Sequence, residues 1–333
     1  MTGDMIFTSE SVTPGHPDKL CDQISDAAID AFLGRDPGAR AIVECAVATG
    51  VVFLAARYAA NAVIDLPALA RSVIADAGYH GRHFDARSCS ILTSLAELPL
   101  ETREPPMVAP DEEAIERSTA QDQGNAFGYA CRETPELMPL PITLAHRLAR
   151  ALDHAHRNGV SWLSPDGKTQ ISVEYRDFRP VRIHGVSLTT AVEPGIPGGT
   201  VHEHLRTIAM EALASGDLRP DERTEFHINA DREHEVGGPS RHAGLTGRKN
   251  GIDTYGEIAR QSGAALSGKD PSRVDRTGAY AARHAAKNVV AAGLAERCEV
   301  HVAYEIGQAR PLSLSVETFG TGRKSDADIA KRL

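Results

Sequence analysis

The densest chemistry in this 333-residue sequence is the run Gly15-His16-Pro17-Asp18-Lys19. Proline and aspartate favour the first turn of a helix. The run therefore predicts a helix start whose unpaired N–H groups and partial positive charge can seat a phosphate. His16 and Lys19 add hydrogen-bonding or positive groups, and Asp18 can hold a metal ion that bridges phosphates. Alone, the run reads equally well as an ordinary N-cap with surface charges. A second cluster, GLTGRK at 244–249, joins glycines that let backbone approach a ligand to the fixed charges of Arg248 and Lys249. Alone it reads as a solvated turn. A third, SGKDPSRVDR at 267–276, alternates cations and carboxylates and lacks the GxxxxGK[ST] pattern of a phosphate-binding loop. A fourth, DGKTQ at 166–170, lies at the entry to an expected strand.

Composition limits what these clusters can serve. A net charge of −9 opposes a general nucleic-acid or membrane-surface binder, so any polyanion site must be a local concentration of Lys and Arg. The five cysteines are odd in number, scattered and without a CxxC pair, which predicts reduced thiols rather than a disulfide framework or zinc site. The start MTGDMIFTSES has no basic flank before an apolar run, and no stretch approaches about 20 apolar residues. A cytoplasmic protein, with neither nucleic acid nor membrane as partner, is expected.

Three stretches share one order of elements. In the first, Ile24, Ala27, Ala28 and Ala31 recur at helical spacing after GHPDK. An extended pair turning at Thr49-Gly50, a second helix in LPALARSVIADAG and a short strand in SCSILTSL follow. The second stretch repeats this with a helix marked by Ile142, Ala145, Leu148 and Leu152, then a hairpin of TQISVEY and VRIHGVSLTTAV. A helix in VHEHLRTIAMEALAS and a strand in EFHINA complete it. The third has a helix in TGAYAARHAAKNVVAAGLA, strands in CEVHVAYEIG and PLSLSVETFG, and a helix opening at SDADIAKRL. This predicts an α+β protein of three α/β units with antiparallel or mixed sheets. The expected divisions are 1–98, a mobile loop at 99–118 rich in Pro and charge, 119–230 and 231–333.

The motifs FTSESVTPGHPDK, DQGNAFGYA, PDGKTQ, GGPSRHAGLTGRK, DTYG and SGKDPSRVDR stand here in the order found in S-adenosylmethionine synthetases, which the chain resembles from about Ile6 to Gly320. The resemblance implies three pseudo-threefold-related units, in a homodimer or tetramer with active sites between subunits. It implies attack of methionine sulfur on C5′ of ATP, with displaced triphosphate hydrolysed to pyrophosphate and phosphate. By matching positions, His16, Lys168, Arg248, Lys249 and Lys269 hold the polyphosphate, with Arg273 where a lysine is usual. Asp18 and Asp275 hold two Mg²⁺ ions, Glu44 serves a K⁺ ion, Asp166 contacts ribose, and Asp122 lies in the adenosine and sulfur region. Ile306 joins the acceptor pocket. Developing charge on the bridging oxygen of the leaving group is what such cations stabilise.

The chain departs from the family on the amino-acid side. A glutamate of a GGE element is replaced by Arg57 in Ala55-Ala56-Arg57, a glutamine by Leu98, and an aspartate by His242. An aromatic position aligns loosely with His234, and the third unit stops before the family's usual end. Arg57 and His242 suit a carboxylate-bearing acceptor better than an ammonium, which makes a non-methionine acceptor the rival expectation. A non-catalytic nucleotide-binding partner subunit is the third.

Overall fold

The computed structural model describes residues 4–333 except 82, 104–110, 217 and 230–235. In chain order it forms β1 (Met5–Val12), α1 (Pro17–Arg35), β2 (Arg40–Ala48), β3 (Val51–Ala59), α2 (Leu66–Asp76), β4 (Ser90–Glu97) and the short α3 (Glu112–Arg117). Then come β5 (Gly124–Cys131), α4 (Leu140–Arg157), β6 (Leu163–Arg176), β7 (Arg179–Val192), α5 (Gly198–Leu213) and β8 (Glu225–Ile228). The last part holds β9 (Gly244–Leu245), α6 (Asn250–Asp253), α7 (Val274–Ala291), β10 (Arg297–Tyr304), β11 (Ser313–Glu317) and α8 (Asp326–Ala330).

The repeat read from the sequence is present as helix, antiparallel hairpin, helix: α1-β2-β3-α2, α4-β6-β7-α5 and α7-β10-β11-α8. The strands that follow α2 and α5 add in parallel, β4 to β3 and β8 to β7. A helical crossover returns the chain to the same end of the sheet, which is why antiparallel pairing ends there. The three helices leading the repeats bury one stripe each, such as Leu20, Ile24 and Phe32 on α1 and Ile142, Leu148 and Leu152 on α4. Among the described residues three apolar cores result, each between helices and one sheet, and a smaller fourth joins Tyr129, Cys131 and Tyr255.

A feature absent from the sequence reading ties the units together. The strand before each leading helix pairs with the hairpin of a different unit. β1 pairs with β6, β5 with β10, and β9 with β2, all antiparallel. Each unit thus gives one strand to the next in a closed cycle. The sheets are β1-β6-β7-β8, β11-β10-β5 and β4-β3-β2-β9, and none is built from a single sequence-contiguous stretch.

All five cysteines are buried and unbonded. Among the described residues no helix is long and apolar enough to cross a membrane. The expected loop at 99–118 falls partly on 104–110, outside the described residues, as does His234.

Candidate active site

The exchanged strands carry the chemistry to two places. The first forms where α1 begins. His16 is the N-cap of α1, with Pro17 in the first turn, and its Nδ1 accepts a hydrogen bond from the Asp18 N–H at 3.2 Å. Gly244 packs on this turn so closely that a Cβ there would lie 2.1 Å from the Pro17 carbonyl oxygen, so the approach requires glycine. Two carboxylates of α1 then fix the following backbone. Asp18 Oδ1 accepts from the Leu245 N–H at 3.1 Å, and Asp22 Oδ1 from the Gly247 N–H at 2.8 Å. That alignment places Arg248 Nε 3.6 Å from Asp18 and Lys249 Nζ 3.3 Å from Glu10 on β1.

Pairing of β1 with β6 sets Val12 opposite Lys168, and Asp166 sits two residues upstream. Asp166 Oδ2 accepts from the Gly238 N–H at 2.7 Å and meets His242 Nε2 at 3.0 Å. The ring of His242 lies 4.9 Å from that of His16. Asp166, Lys168, Thr190, Arg241 and His242 line a cavity of about 170 Å³. Two buried polar atoms here, His16 Nε2 and Asp166 Oδ1, have no hydrogen-bond partner. Burial, aided by His242, Lys168 and Lys249 and opposed by Asp166, lowers the pKa of His16 to about 3, so its ring is neutral near pH 7. Burial alone would raise the Asp166 carboxyl, but its hydrogen bonds to His242 and Gly238 and the nearby His16 outweigh it and hold the carboxyl below its ordinary value.

The second place lies farther along α1, beside the leading end of α7. Lys269 Nζ meets Asp275 Oδ2 at 2.5 Å, and Arg276 Nη1 meets Asp26 Oδ1 at 2.9 Å. Asp26 Oδ1 also accepts from the Gly268 N–H at 3.0 Å, which anchors this loop to α1. Asp270, 1% exposed, accepts from the Ala41 N–H at 2.7 Å. Arg273 is the N-cap of α7, with a buried Nε that has no hydrogen-bond partner. The pairing of Gly124 with Tyr304 brings Asp122 and Ile306 to one end of β5 and β10, and a Cβ on Gly124 would lie 3.2 Å from Asp275.

On the adjoining sheet, Lys269 bridges Ile42, which pairs with Arg57, which pairs with Ala96, so one row crosses the three strands. At strand spacing this puts the Arg57 backbone about 10 Å from that of Lys269. Leu98 donates its N–H to the Tyr58 carbonyl at 2.7 Å, beside that row. Glu44 and Arg57 are exposed on the outer face of this sheet. The Arg57 side chain makes no hydrogen bond or ion pair among the described residues.

The expected site residues therefore fall into two groups on one chain. His16, Asp18, Asp166, Lys168, His242, Arg248 and Lys249 form one, and Lys269, Arg273, Asp275, Asp122 and Ile306 form the other, flanked by Glu44, Arg57 and Leu98. His16 and Asp26, which mark the two groups on α1, are separated by about 15 Å of helix. His242 belongs with Asp166 rather than with Arg57. The sequence reading did not single out Glu10, Asp22, Asp26, Arg241 or Arg276. Arg276 and Arg241 lay inside the quoted basic motifs, and Glu10 inside FTSESVTPGHPDK. A cavity of about 570 Å³ between Arg40, Gln121, Ser272, Thr277 and Tyr304 is lined by none of the expected residues.

The fold and this site define a three-unit α+β protein whose leading helix presents a buried N-terminus ringed by Lys168, Arg248 and Lys249. Its parts match family models for the N-terminal domain of S-adenosylmethionine synthetase over residues 4–99, the central domain over 117–234 and the C-terminal domain over 236–333. The chain belongs to the S-adenosylmethionine synthetase family. Its function is accordingly of the general S-adenosylmethionine synthetase type, that of a transferase.

Proposed function

We propose that this protein transfers the adenosyl group of ATP to a sulfur acceptor, methionine in the first instance, in the cytoplasm. The acceptor sulfur donates its electron pair to C5′, the C5′–O bond breaks, and the electrons leave with the triphosphate. Water then cleaves that triphosphate to pyrophosphate and phosphate. The observation that carries this reading is the helix N-terminus. There a buried neutral His16 holds an unpartnered Nε2, and Lys168, Arg248 and Lys249 lie near it in a chain of net charge −9. A neutral imidazole whose Nδ1 accepts a hydrogen bond carries its proton on Nε2. His16 is thus a ready donor to a phosphate oxygen, and the three cations stabilise the charge that collects on the leaving group.

Dimerisation completes the site in this proposal. Sites for substrates of this size occupy roughly 300–1,000 Å³, more than the 170 Å³ beside Asp166. The outer face of β4-β3-β2-β9 exposes Phe53 at 42% and Leu92 at 55%, beside Val51 and Leu245. Such an apolar sheet face suits burial against a second copy, which would set one chain's His16 group against the other's Lys269 group. Asp18 and Asp275 each offer one carboxylate beside a cation, the sparse set that Mg²⁺ takes when substrate oxygens fill its shell. Two Mg²⁺ ions held there would neutralise polyphosphate charge. Glu44 offers one exposed carboxylate on the outer face of this sheet, where it would help to hold a K⁺ ion.

A second reading keeps this chemistry and changes the acceptor. Arg57, without an acidic partner among the described residues and in one row with Lys269, favours an acceptor that bears a carboxylate there. Mass spectrometry of products from ATP, Mg²⁺ and a panel of thioethers tests both. A methionine-derived sulfonium supports the first reading, and a sulfonium only from another acceptor supports the second. No adenosylated product with any acceptor, alongside no ATP binding, refutes both.

A further inference from the structure

Asp18, Asp22 and Asp26 recur every fourth residue on α1 and so share one face, about 6 Å apart along its axis. Each accepts a backbone N–H from a segment that carries basic site residues. Asp18 and Asp22 hold Leu245 and Gly247, just before Arg248 and Lys249, and Asp26 Oδ1 holds Gly268, just before Lys269, at 3.0 Å. The first two therefore serve the His16 group and the third the Lys269 group. We propose that Asp22 and Asp26 are positioning residues through which α1 serves two active sites at once. Asp22 sets Arg248 and Lys249 in one site, and Asp26, together with Arg276, sets Lys269 in the other. This inference rests on the two-chain site proposed above, and neither aspartate touches substrate in it.

Both segments are tied at several points. Thr246, between the two N–H groups held by α1, meets the Ser25 hydroxyl at 2.7 Å. Asp22 is 3% exposed, and its second oxygen takes Lys19 Nζ at 3.1 Å, so both of its oxygens are occupied. On the other segment, the peptide groups on either side of Lys269 are both held. The Gly268 carbonyl accepts from the Val43 N–H at 2.8 Å. Arg276 Nη1 donates to the Lys269 carbonyl at 2.7 Å and to Asp26 Oδ1 at 2.9 Å, so one guanidinium spans helix and loop. Gly268 takes φ +76°, and a Cβ there would lie 2.0 Å from the Val43 carbonyl oxygen, so the turn requires glycine. What remains free in Lys269 is its side chain, which ends on Asp275 at 2.5 Å. An N–H bond to a carboxylate is roughly twice as strong as a neutral one. Carboxylates on a rigid helix therefore fix these loops, where a misplacement of about 1 Å can cost about 10²-fold in rate.

The test assigns each aspartate to a site by mixing full-length chains and following product release from ATP with the acceptor that wild type turns over. Asp22→Ala and Asp26→Ala homodimers should each lose at least about tenfold in kcat. Asp26→Asn keeps Oδ1, which takes both the Gly268 N–H and Arg276, and should recover most of that loss. Reassembled with Lys168→Met, Asp26→Ala should regain about a quarter of wild-type activity, and with Asp275→Asn it should stay low. Asp22→Ala should show the opposite pairing. A lesion that loosens the whole of α1 damages both groups and is rescued by neither partner. Should an alanine chain fail to fold, Thr246→Ala, which loosens the same segment as Asp22→Ala, or Arg276→Met, which removes the donor to the Lys269 carbonyl, takes its place. Lys168→Met mixed with Asp275→Asn is the control. If the control recovers and the aspartate variants follow any other pattern, the positioning roles are overturned. If wild type makes no product or the control does not recover, the two-chain reading fails, and this inference with it.

Discussion

His146 makes the stability of this protein depend on pH, and the effect can be isolated. It lies on α4 against β1, with Nδ1 2.8 Å from the Ser11 hydroxyl. Burial, helped by the charges of Arg150 and Lys19, lowers its pKa from 6.5 to about 4. A histidine kept neutral in the folded chain takes a proton more readily when unfolded. Its contribution is therefore whole above about pH 6.5 and is lost as pH falls toward the folded value near 4. At about 1.4 kcal/mol per pH unit, the loss between pH 6.5 and 5 comes to roughly 2 kcal/mol. His146→Gln keeps a hydrogen-bonding side chain at Ser11 and cannot titrate. Urea unfolding followed by circular dichroism at pH 7 and pH 5 compares the two proteins. Wild type should lose about 2 kcal/mol more than the variant over that interval. Equal losses would refute the reasoning, because all other titrating groups are common to both.

Three more outcomes follow from the packing. Gly15→Ala puts a Cβ 2.4 Å from Pro165 Cβ, between the start of α1 and the entry of β6. Overpacking of this kind costs about 1–3 kcal/mol, and calorimetry should show weakened ATP binding alongside a lowered melting temperature. Asp270→Ala leaves the N–H groups of Ala41 and Ser272 without their carboxylate acceptor. It should lower stability by about 2–4 kcal/mol in denaturant titration, whereas an unchanged midpoint would deny that Asp270 anchors the Lys269 loop. Phe53→Asp on the exposed sheet face should yield monomers by sedimentation and lose adenosyl transfer, while a fully active monomer would remove the dimer from the account.

Much of the fold was legible because its signals are local. Helical spacing at Ile24 and Ile142, alternation along β6 and β7, and the Thr49-Gly50 turn each report on a few neighbouring residues. The exchanged strands were not legible. β9 pairs through only Gly244 and Leu245, and the partners of β1, β5 and β9 are distant in sequence, where no period records them. The basic motifs marked the candidate residues but not their grouping. His242 stood in the sequence beside Arg241 as one more cation, and only the fold sets it against Asp166. Nor does sequence reveal Asp18 and Asp22 as acceptors for the backbone of the glycine-rich segment, since a carboxylate in a first turn fits many roles.

The central claim is that the His16 group of one chain and the Lys269 group of another make one site. Lys168→Met and Asp275→Asn each lie in a different group, and each homodimer should be inactive in product release from ATP. Mixed and reassembled chains form heterodimers in which one site carries both lesions and the other carries neither. Activity should then return to about a quarter of wild type. If the mixture stays as inactive as its parents although heterodimers form, the site lies within one chain and the account is contradicted.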